Sequence, residues 1–411
     1  MSRLQELIAE LCPDGVEYKT LGEVGVFMRG SSFQKKHFVE DGTPCIHYGQ
    51  VHTRFNIATE EVVSYLDENF AAKMKRAQPG DLIIATTSED DDAVGKAIAW
   101  LGDMDVVVSN DAYIYRHELD PKYMAYVFAS DLFQEPKRQY ITGTKVRRLN
   151  DKGMSKIVIP VPPIEVQREV VRILDEYTAA HDELVRQLKE EIRLRDSSYS
   201  DVRDNMLLGN SDAEVRPFKD FCESMNTGPF GSSVHKTDYV DNGCPIVNPA
   251  DIRGTSVTAG KMVSEEAEQR LARYKLKAND IVIGRRGEMG RIGIVDEKAE
   301  GYLCGTGCFF VRMNGLALPH YWRYLFSTSY SKTYLEAHAV GSTMKNLNLS
   351  ILGNMPVPVP GLNEQQALIS LLDEYSSAQE ELSHQLRSEI TMLEQQLTLV
   401  RNQLLAFPEK C

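Results

Sequence analysis

Long apolar stretches are missing from this 411-residue chain. No segment approaches the roughly 20 uninterrupted apolar residues that a membrane helix needs, although hydrophobic residues make up 42% of the sequence and charged residues 26%. Residues 1–11 have the leucine spacing of a short amphipathic helix and lack the regions of an export signal. We therefore expect a cytoplasmic protein without a membrane partner.

Cysteine pairs and metal-ligand spacings are missing as well. The seven cysteines are scattered and odd in number, and none is part of a zinc-finger pattern. The acidic run Glu89–Asp92 is better suited to a solvated loop than to one divalent ion, because four successive carboxylates cannot all point at it. We expect reduced thiols and no metal site.

Motifs for nucleotide chemistry are incomplete. Gly95-Lys96-Ala97 lacks the hydroxyl and the earlier glycine of a phosphate-binding loop. The sequence has no Asn/Asp-Pro-Pro-aromatic motif to grip a flipped adenine, since its one Pro-Pro pair is Pro162-Pro163. We therefore predict no catalytic residue and no cofactor bound by this chain.

An excess of positive charge is missing too, and this bears on nucleic-acid binding. The formal net charge is −13, whereas phosphate contacts come from lysine and arginine. A nucleic-acid partner is therefore possible only if the local charge distribution differs from the total.

An internal repeat organises what is present. Residues 158–207 and 356–405 align without a gap at a constant offset of 198, with 18 identities in 50 positions. The offset continues upstream, where Gly143-Thr144 matches Gly341-Ser342 and Leu149-Asn150 matches Leu347-Asn348. The protein is a half-unit written twice.

Each half follows the same order of patterns. Short β-type runs with helical stretches between them predict a mixed α/β domain, and a proline-containing run that cannot be helical then leads into one long helix. We predict an α+β protein with a pseudo-twofold repeat and four segments: a first domain at 1–157, a hinge and helix at 158–210, a second domain at 211–355, and a hinge and helix at 356–411.

The long helices carry apolar seams with alternating spacings of three and four, apart from two consecutive fours at the same place in both. The simplest prediction is that they pack on each other as a coiled-coil spacer of roughly 60 Å; a homodimeric coiled coil is the alternative. The seam residues proposed for helix and partner contacts are Leu174, Tyr177, Leu184, Leu188, Ile192, Leu372, Tyr375, Leu382, Leu386 and Ile390.

Basic residues cluster at equivalent places in the two halves. Residues 137–148 of the first half and 273–291 of the second offer surfaces that can meet phosphate. Arginine donors on a glycine-rich loop suit guanine in the major groove, and carboxylates suit the amino group of cytosine. The predicted DNA-binding residues are Ser88, Glu89, Lys96, Thr144, Lys145, Arg147, Arg148, Arg285, Arg286, Glu288, Arg291, Ser342, Thr343, Lys345 and Asn346.

Surface salt bridges could also explain those arginines, and turns that merely cap helices could explain segments 143–150 and 341–346. Further motifs narrow the choice: the opening Leu11–Tyr18, the two Pro-Val-Pro hinges, and Gln167 running into Asp175 with its echo Gln365–Asp373. In these features the whole chain resembles the specificity subunits of bacterial type I restriction-modification systems.

The resemblance implies two target-recognition domains, each of which reads one half of a bipartite site in double-stranded DNA, and an antiparallel arrangement of the two long helices as the spacer between them. It also implies two methyltransferase subunits and additional restriction subunits as partners, with S-adenosylmethionine, ATP and Mg bound by those partners. Two other hypotheses stay open: a coiled-coil scaffold that does not bind DNA, and an enzyme hidden in one domain, which would need a constellation present in only one half.

Overall fold

The computed structural model describes residues 2–209, 213–230, 233–253, 256–286, 290–341 and 346–410. By its internal contacts the chain divides into two compact units. Unit 1 comprises Met1–Gln187 and Ser388–Cys411, and unit 2 comprises Leu188–Arg387. No helix in the described part of the chain combines the length and apolar character needed to cross a membrane.

Unit 1 is a mixed α/β domain with short strands. Its strands are β1 (Glu17–Thr20), β2 (Gly25–Arg29), β3 (Phe38–Val39), β4 (Thr43–Ile46), β5 (Ala58–Thr59), β6 (Tyr65–Leu66), β7 (Arg76–Ala77), β8 (Leu82–Ala85), β9 (Thr87–Ser88), β10 (Ala97–Trp100), β11 (Val106–Val108), β12 (Ala112–His117), β13 (Arg147–Arg148) and β14 (Val158–Val161). Its shorter helices are α1 (Arg3–Leu11), α2 (Leu21–Val24), α3 (Tyr48–Thr53), α4 (Glu68–Ala71), α5 (Pro121–Ala129), α6 (Asp131–Lys137) and α7 (Asp151–Met154).

Two sheets form the framework of unit 1. One has the strand order β2-β12-β8-β10-β5 and the other β3-β6-β4-β11-β7. Strands β8, β10 and β11 are buried at every position, as expected of continuous apolar runs covered on both faces. Helix α5 packs its buried residues into the same core as β8 and β10.

Unit 2 repeats this plan. Its strands are β15 (Glu214–Pro217), β16 (Cys222–Thr227), β17 (Tyr239–Val240), β18 (Cys244–Val247), β19 (Ile252–Arg253), β20 (Ser256–Val257), β21 (Lys261–Val263), β22 (Ile281–Gly284), β23 (Ile292–Ile294), β24 (Leu303–Cys304), β25 (Cys308–Met313) and β26 (Pro356–Val359). Its shorter helices are α9 (Glu265–Arg270), α10 (Pro319–Ser327), α11 (Ser329–His338) and α12 (Leu349–Gly353). The larger sheet, β16-β25-β22-β23-β20-β19, corresponds to β2-β12-β8-β10-β5.

The proline-containing hinges are strands, which confirms that they are not helical. Strand β14 pairs antiparallel with β1, and β26 pairs in the same way with β15. Proline lacks an N–H donor but tolerates extended backbone at such short, two-stranded edges. Each hinge strand therefore fixes where the following helix begins.

Two long helices follow the hinge strands, α8 (Ile164–Leu208) and α13 (Leu362–Leu405). Within unit 2 the rings of Tyr199 and Tyr375 lie 5.3 Å apart between centroids. Gln379 Nε2 donates to Asp196 Oδ1 at 3.1 Å. Tyr199 follows Asp196 along α8, but its partner Tyr375 precedes Gln379 along α13. The two helices therefore run antiparallel there, as predicted.

One predicted seam position is wrong. Leu184 is 39% exposed, whereas its neighbour Val185 is only 8% exposed, and in the second repeat Ser383 is buried at 5%. The buried face of α8 therefore advances by four residues twice in succession, from Tyr177 to His181 and from His181 to Val185. This keeps its mean spacing closer to the 3.6 residues of a helical turn. Leu174, Leu188, Leu372, Leu386 and Ile390 are buried, and Tyr177, Ile192, Tyr375 and Leu382 are half-buried.

The end of the chain packs beside its beginning within unit 1. Val16 N donates to the carbonyl of Pro408 at 2.8 Å, and Lys410 N donates to the carbonyl of Val16 at 3.0 Å. The Tyr18 hydroxyl donates to the carbonyl of Phe407 at 2.7 Å. The segment after α13 thereby occupies a defined place in the unit 1 core.

Candidate nucleic-acid interface

In unit 1 the two predicted DNA-binding segments form a single edge. Strand β9 pairs antiparallel with β13, with Ser88 opposite Arg147 and Thr87 opposite Arg148. Two backbone hydrogen bonds between Thr142 and Arg148, of 2.9 and 2.8 Å, close the turn that carries Thr144 and Lys145. The sequence predicted these segments separately, and the structure brings them together.

The acidic run on this edge is largely paired. Asp91 Oδ1 lies 2.8 Å from Arg147 Nε, and Asp92 Oδ1 lies 3.0 Å from Arg138. Asp90 Oδ1 accepts a hydrogen bond from the backbone N–H of Asp92 at 2.9 Å. The run therefore neutralises nearby cations instead of forming an isolated negative patch.

The remaining predicted residues of this edge differ in exposure. Glu89, Thr144, Lys145 and Arg148 are exposed, and Ser88 is half-buried. Lys96 is half-buried and its amino group donates to the carbonyl of Phe55 at 2.8 Å; burial lowers the pKa of this lysine. Lys96 is thus less available to phosphate than the exposed cations.

Lys137 does not belong to the phosphate-facing surface on which the sequence predicted it. Its exposed fraction is 0%, and its ammonium donates to the carbonyls of Asp92 at 2.8 Å and Val94 at 2.7 Å. The short sequence spacing to Arg138 suggested one basic patch, but on helix α6 successive residues face different directions.

Unit 2 has the equivalent edge. Val340 and Asn346 exchange two backbone hydrogen bonds of 3.0 and 2.8 Å, and Leu347 N donates to the carbonyl of Arg285 at 3.2 Å. In unit 1 the corresponding bond joins Leu149 N to the carbonyl of Thr86 at 3.1 Å. The backbone scaffold of the edge is therefore common to both units.

The two arginines of this edge have different surroundings. Arg286 is exposed, and its Nε donates to Asn346 Oδ1 at 3.2 Å. Arg285 is half-buried, with its guanidinium 5.3 Å from the centroid of the Phe309 ring, and burial lowers its pKa. Arg291 directly precedes β23, and Glu288, Ser342, Thr343 and Lys345 lie outside the described residues.

Loop length separates the two edges. In unit 1, Ala85 N donates to the Lys96 carbonyl at 2.8 Å; in unit 2, Gly284 N donates to the Arg291 carbonyl at 2.8 Å. Just inside each closing pair lies a glycine with positive φ, Gly95 at 86° and Gly290 at 78°, a conformation that glycine adopts without strain. Between Ala85 and Gly95 lie residues 86–94, but between Gly284 and Gly290 only 285–289, four fewer.

Sequence reasoning missed the residues that support the loop base. His52 Nε2 lies 3.1 Å from the Thr87 carbonyl oxygen, and burial lowers the pKa of this histidine. The hydroxyl of Thr86 donates to the Asp111 carbonyl at 3.2 Å. Neither His52 nor Asp111 is near the loop in sequence, so only folding brings them there.

Comparison with known proteins agrees with this duplicated architecture. Residues 13–194 and 210–392 both match the family described as type I restriction modification DNA specificity domain. The chain belongs to this family. The two matches in this specificity family overlap the two halves of the internal repeat, each with its own α/β domain.

Curated relatives of the specificity family include two from Escherichia coli. The type I restriction enzyme EcoR124I/EcoR124II specificity subunit is 26% identical over 293 residues, which is 66% of this chain and 66% of the relative. The EcoBI specificity subunit is 21% identical over 253 residues, 56% of this chain and 53% of the relative. The matches thus span just under two thirds and about half of these relatives.

Solved structures show the same fold. A chain from a study of complex assembly and conformational transition of the type I R-M system has a TM-score of 0.71 at 18% identity, with coverage of 96% of this chain and 98% of that one. The HsdS subunit from Thermoanaerobacter tengcongensis has a TM-score of 0.56 at 16% identity, with coverage of 96% and 97%.

Proposed function

We propose that this member of the specificity family is a non-catalytic DNA-binding subunit in which each unit recognises one half of an asymmetric, bipartite site in double-stranded DNA. The observation that carries the proposal is the duplicated edge. The backbone hydrogen bonds that close the loop and hold the following turn have counterparts in both units, whereas loop length and side chains differ. A backbone arrangement that is repeated while its side chains differ is suited to recognition of two different DNA sequences.

The chemistry of the two edges favours different bases. In unit 2 the exposed Arg286 is a forked donor that matches O6 and N7 of guanine in the major groove. In unit 1 the exposed Glu89 and the hydroxyl of Ser88 can accept from the amino group of cytosine or adenine. We therefore propose that the two half-sites differ in sequence.

Exposed cations on the unit 1 edge are compatible with DNA binding despite the acidic net charge of the chain. Lys145 and Arg148 are exposed on the unit 1 edge, and within the described ranges neither has an ion-pair partner. Such cations can contact phosphate and set the register of the protein on the duplex. The net charge of −13 is that of the whole chain and does not exclude a local cationic surface.

We further propose that the chemistry belongs to partner subunits. Two methyltransferase subunits would bind along the exposed faces of α8 and α13 and use S-adenosylmethionine, and restriction subunits with ATP and Mg would join that complex. The names of the curated relatives, which are specificity subunits of type I restriction enzymes, support this division of labour.

The test is single-molecule sequencing of methylated adenines in DNA from cells that express this chain with a cognate methyltransferase subunit. The control is the same cells without this chain. We expect a split motif of two unlike halves that disappears in the control. If a functional methyltransferase is present and no methylation depends on the chain, the scaffold hypothesis replaces this one.

A further inference from the structure

A buried lysine contacts the acidic loop of unit 1, which comprises residues 86–94. Lys137, the last residue of α6, is 0% exposed, and its ammonium donates to the carbonyls of Asp92 and Val94 and to the side chain of Gln134. Taking an ammonium out of water is strongly unfavourable unless its donors are satisfied, and here all three donors have acceptors. Two of those acceptors are backbone groups of the acidic loop.

The repeat supplies a comparison at the same position. The offset of 198 that aligns the two halves places Leu335 of α11 at the position of Lys137. Leu335 is also 0% exposed, and it lies beside Gly290, because a Cβ added to Gly290 would come within 2.5 Å of its Cδ1. The same core position thus lies next to the residues that end the loop in both units, Val94 in unit 1 and Gly290 in unit 2.

The two units differ both in the residue at this core position and in the length of the loop. Unit 1 has lysine at this position and a loop that is four residues longer and contains the acidic run Glu89–Asp92, whereas unit 2 has leucine and the shorter loop. The longer loop directs the carbonyls of Asp92 and Val94 inward, where only a donor can satisfy them. A leucine there would leave both carbonyls unpaired.

We infer that Lys137 is a positioning residue that holds the acidic loop of unit 1 in one conformation, and that loop length together with the residue at this core position determines which half-site the unit recognises. The inference rests on the proposed function. Asp91 and Asp92 also contact Arg147 and Arg138, so a loop displaced from Lys137 would release cations of the same edge and change its charge pattern.

The charged groups that face Lys137 make its effect depend on pH. Burial lowers its pKa to about 8, an effect that Asp92, Asp90 and Asp91 oppose and Arg138 reinforces. As pH rises through 8 the ammonium loses a proton and one of its three donors. We expect discrimination at the unit 1 half-site to fall between pH 7 and 9, while discrimination at the unit 2 half-site changes less.

Two variants of the full chain test the inference. Lys137→Leu gives unit 1 the residue of unit 2, and the second variant adds a deletion of residues 89–92, so that loop length and core residue both match unit 2. Exposed Lys156→Leu is the matched control. Hydrogen exchange of the free chain reports loop order, and the methylated motif, obtained with the methyltransferase subunit, reports each half-site separately.

We expect Lys137→Leu to speed amide exchange in residues 86–95 at least tenfold and to relax the preference of one half-site about tenfold, while the other half-site is unchanged. The double variant should regain slow exchange yet keep an altered preference. Unchanged exchange, or a folded Lys137→Leu variant with an unchanged motif, would overturn the inference. If the unaltered chain directs no methylation, the proposed function fails, and the exchange result alone still decides whether Lys137 orders the loop.

Discussion

Neighbouring residues on the unit 2 edge serve different purposes. Arg285 packs its guanidinium over Phe309, with its Nε buried and without a hydrogen-bond partner among the described residues. Arg286 is exposed and hydrogen-bonded to Asn346. The sequence presents these two arginines as equivalent, but only Arg286 is open to a partner from solvent.

Arg286→Ala should weaken recognition of one half-site. Loss of a forked donor to a base costs about 1–3 kcal/mol of discrimination, so one half of the methylated motif should become degenerate, with the other half and the thermal stability unchanged. Lys298→Ala removes an equal charge from an exposed turn of the same unit and should leave the motif intact. An unaltered motif in the Arg286 variant would remove this residue from the interface.

The half-buried His117, whose two ring nitrogens are buried, links the stability of unit 1 to pH. Burial lowers the pKa of His117 to about 4, against an ordinary value of 6.5. The unfolded chain therefore takes up a proton below pH 6.5 that the folded chain cannot bind until about pH 4, and stability is lost as pH falls through that interval. The equivalent residue, after the ion-paired Arg312 of unit 2, is Met313.

His117→Met, which copies the second repeat, should remove this dependence. Between pH 6.5 and 4 the free energy of unfolding of the unaltered chain should fall relative to the variant by up to about 1.4 kcal/mol per pH unit. Urea unfolding at pH 7, 6, 5 and 4.5 measures the difference. Parallel pH profiles for the two proteins would show that His117 does not contribute.

At the scale of elements, a repeated hydrogen-bond network fixes each long helix to its domain. Gln167 accepts from Asp120 N at 2.8 Å and donates to the Pro162 carbonyl at 2.7 Å. Gln365 accepts from Leu318 N and donates to the Pro360 carbonyl, at the same distances of 2.8 and 2.7 Å. One glutamine thereby joins domain, hinge and helix.

Adjacent glutamines on α13 offer a matched test of that network. Gln365→Ala leaves a part-buried N–H and a buried C=O unsatisfied, and we expect it to destabilise unit 2 on the order of 2–4 kcal/mol. Gln366 is exposed, so Gln366→Ala should change the free energy of unfolding by less than about 0.5 kcal/mol. Equal effects in urea unfolding would contradict the role assigned to Gln365.

At the scale of the whole chain, its last residues complete the first unit. Phe407 belongs to the unit 1 core, and three hydrogen bonds connect residues 407–410 to residues 16–18. This contact joins parts of the chain that are 389 residues apart between Tyr18 and Phe407. The stability of unit 1 therefore depends on both ends of the chain.

Removal of residues 407–411 should destabilise unit 1 selectively. Loss of the buried phenylalanine alone costs about 3–5 kcal/mol, so hydrogen exchange should accelerate in peptides of unit 1 and remain unchanged in residues 213–360 of unit 2. A chain that lacks only Cys411 is the control. Equal acceleration in both units would mean that the segment does not act locally.

Periodicity and repetition in the sequence determined the order of the elements. Proline excluded a helix at the hinges, the seam spacing predicted two long helices, and the offset of 198 predicted equivalent halves, because these features depend on local backbone geometry and period. Family membership followed from the same motifs. The DNA contacts themselves stay predictions.

Tertiary structure alone decided where individual side chains lie. It moved the buried seam position from Leu184 to Val185 and placed Lys137 under the loop instead of on the surface. It also brought His52 and Asp111 to the loop base. Burial depends on which distant segments cover a residue, and a one-residue change of register on a helix rotates a side chain by about 100°, which residue type cannot reveal.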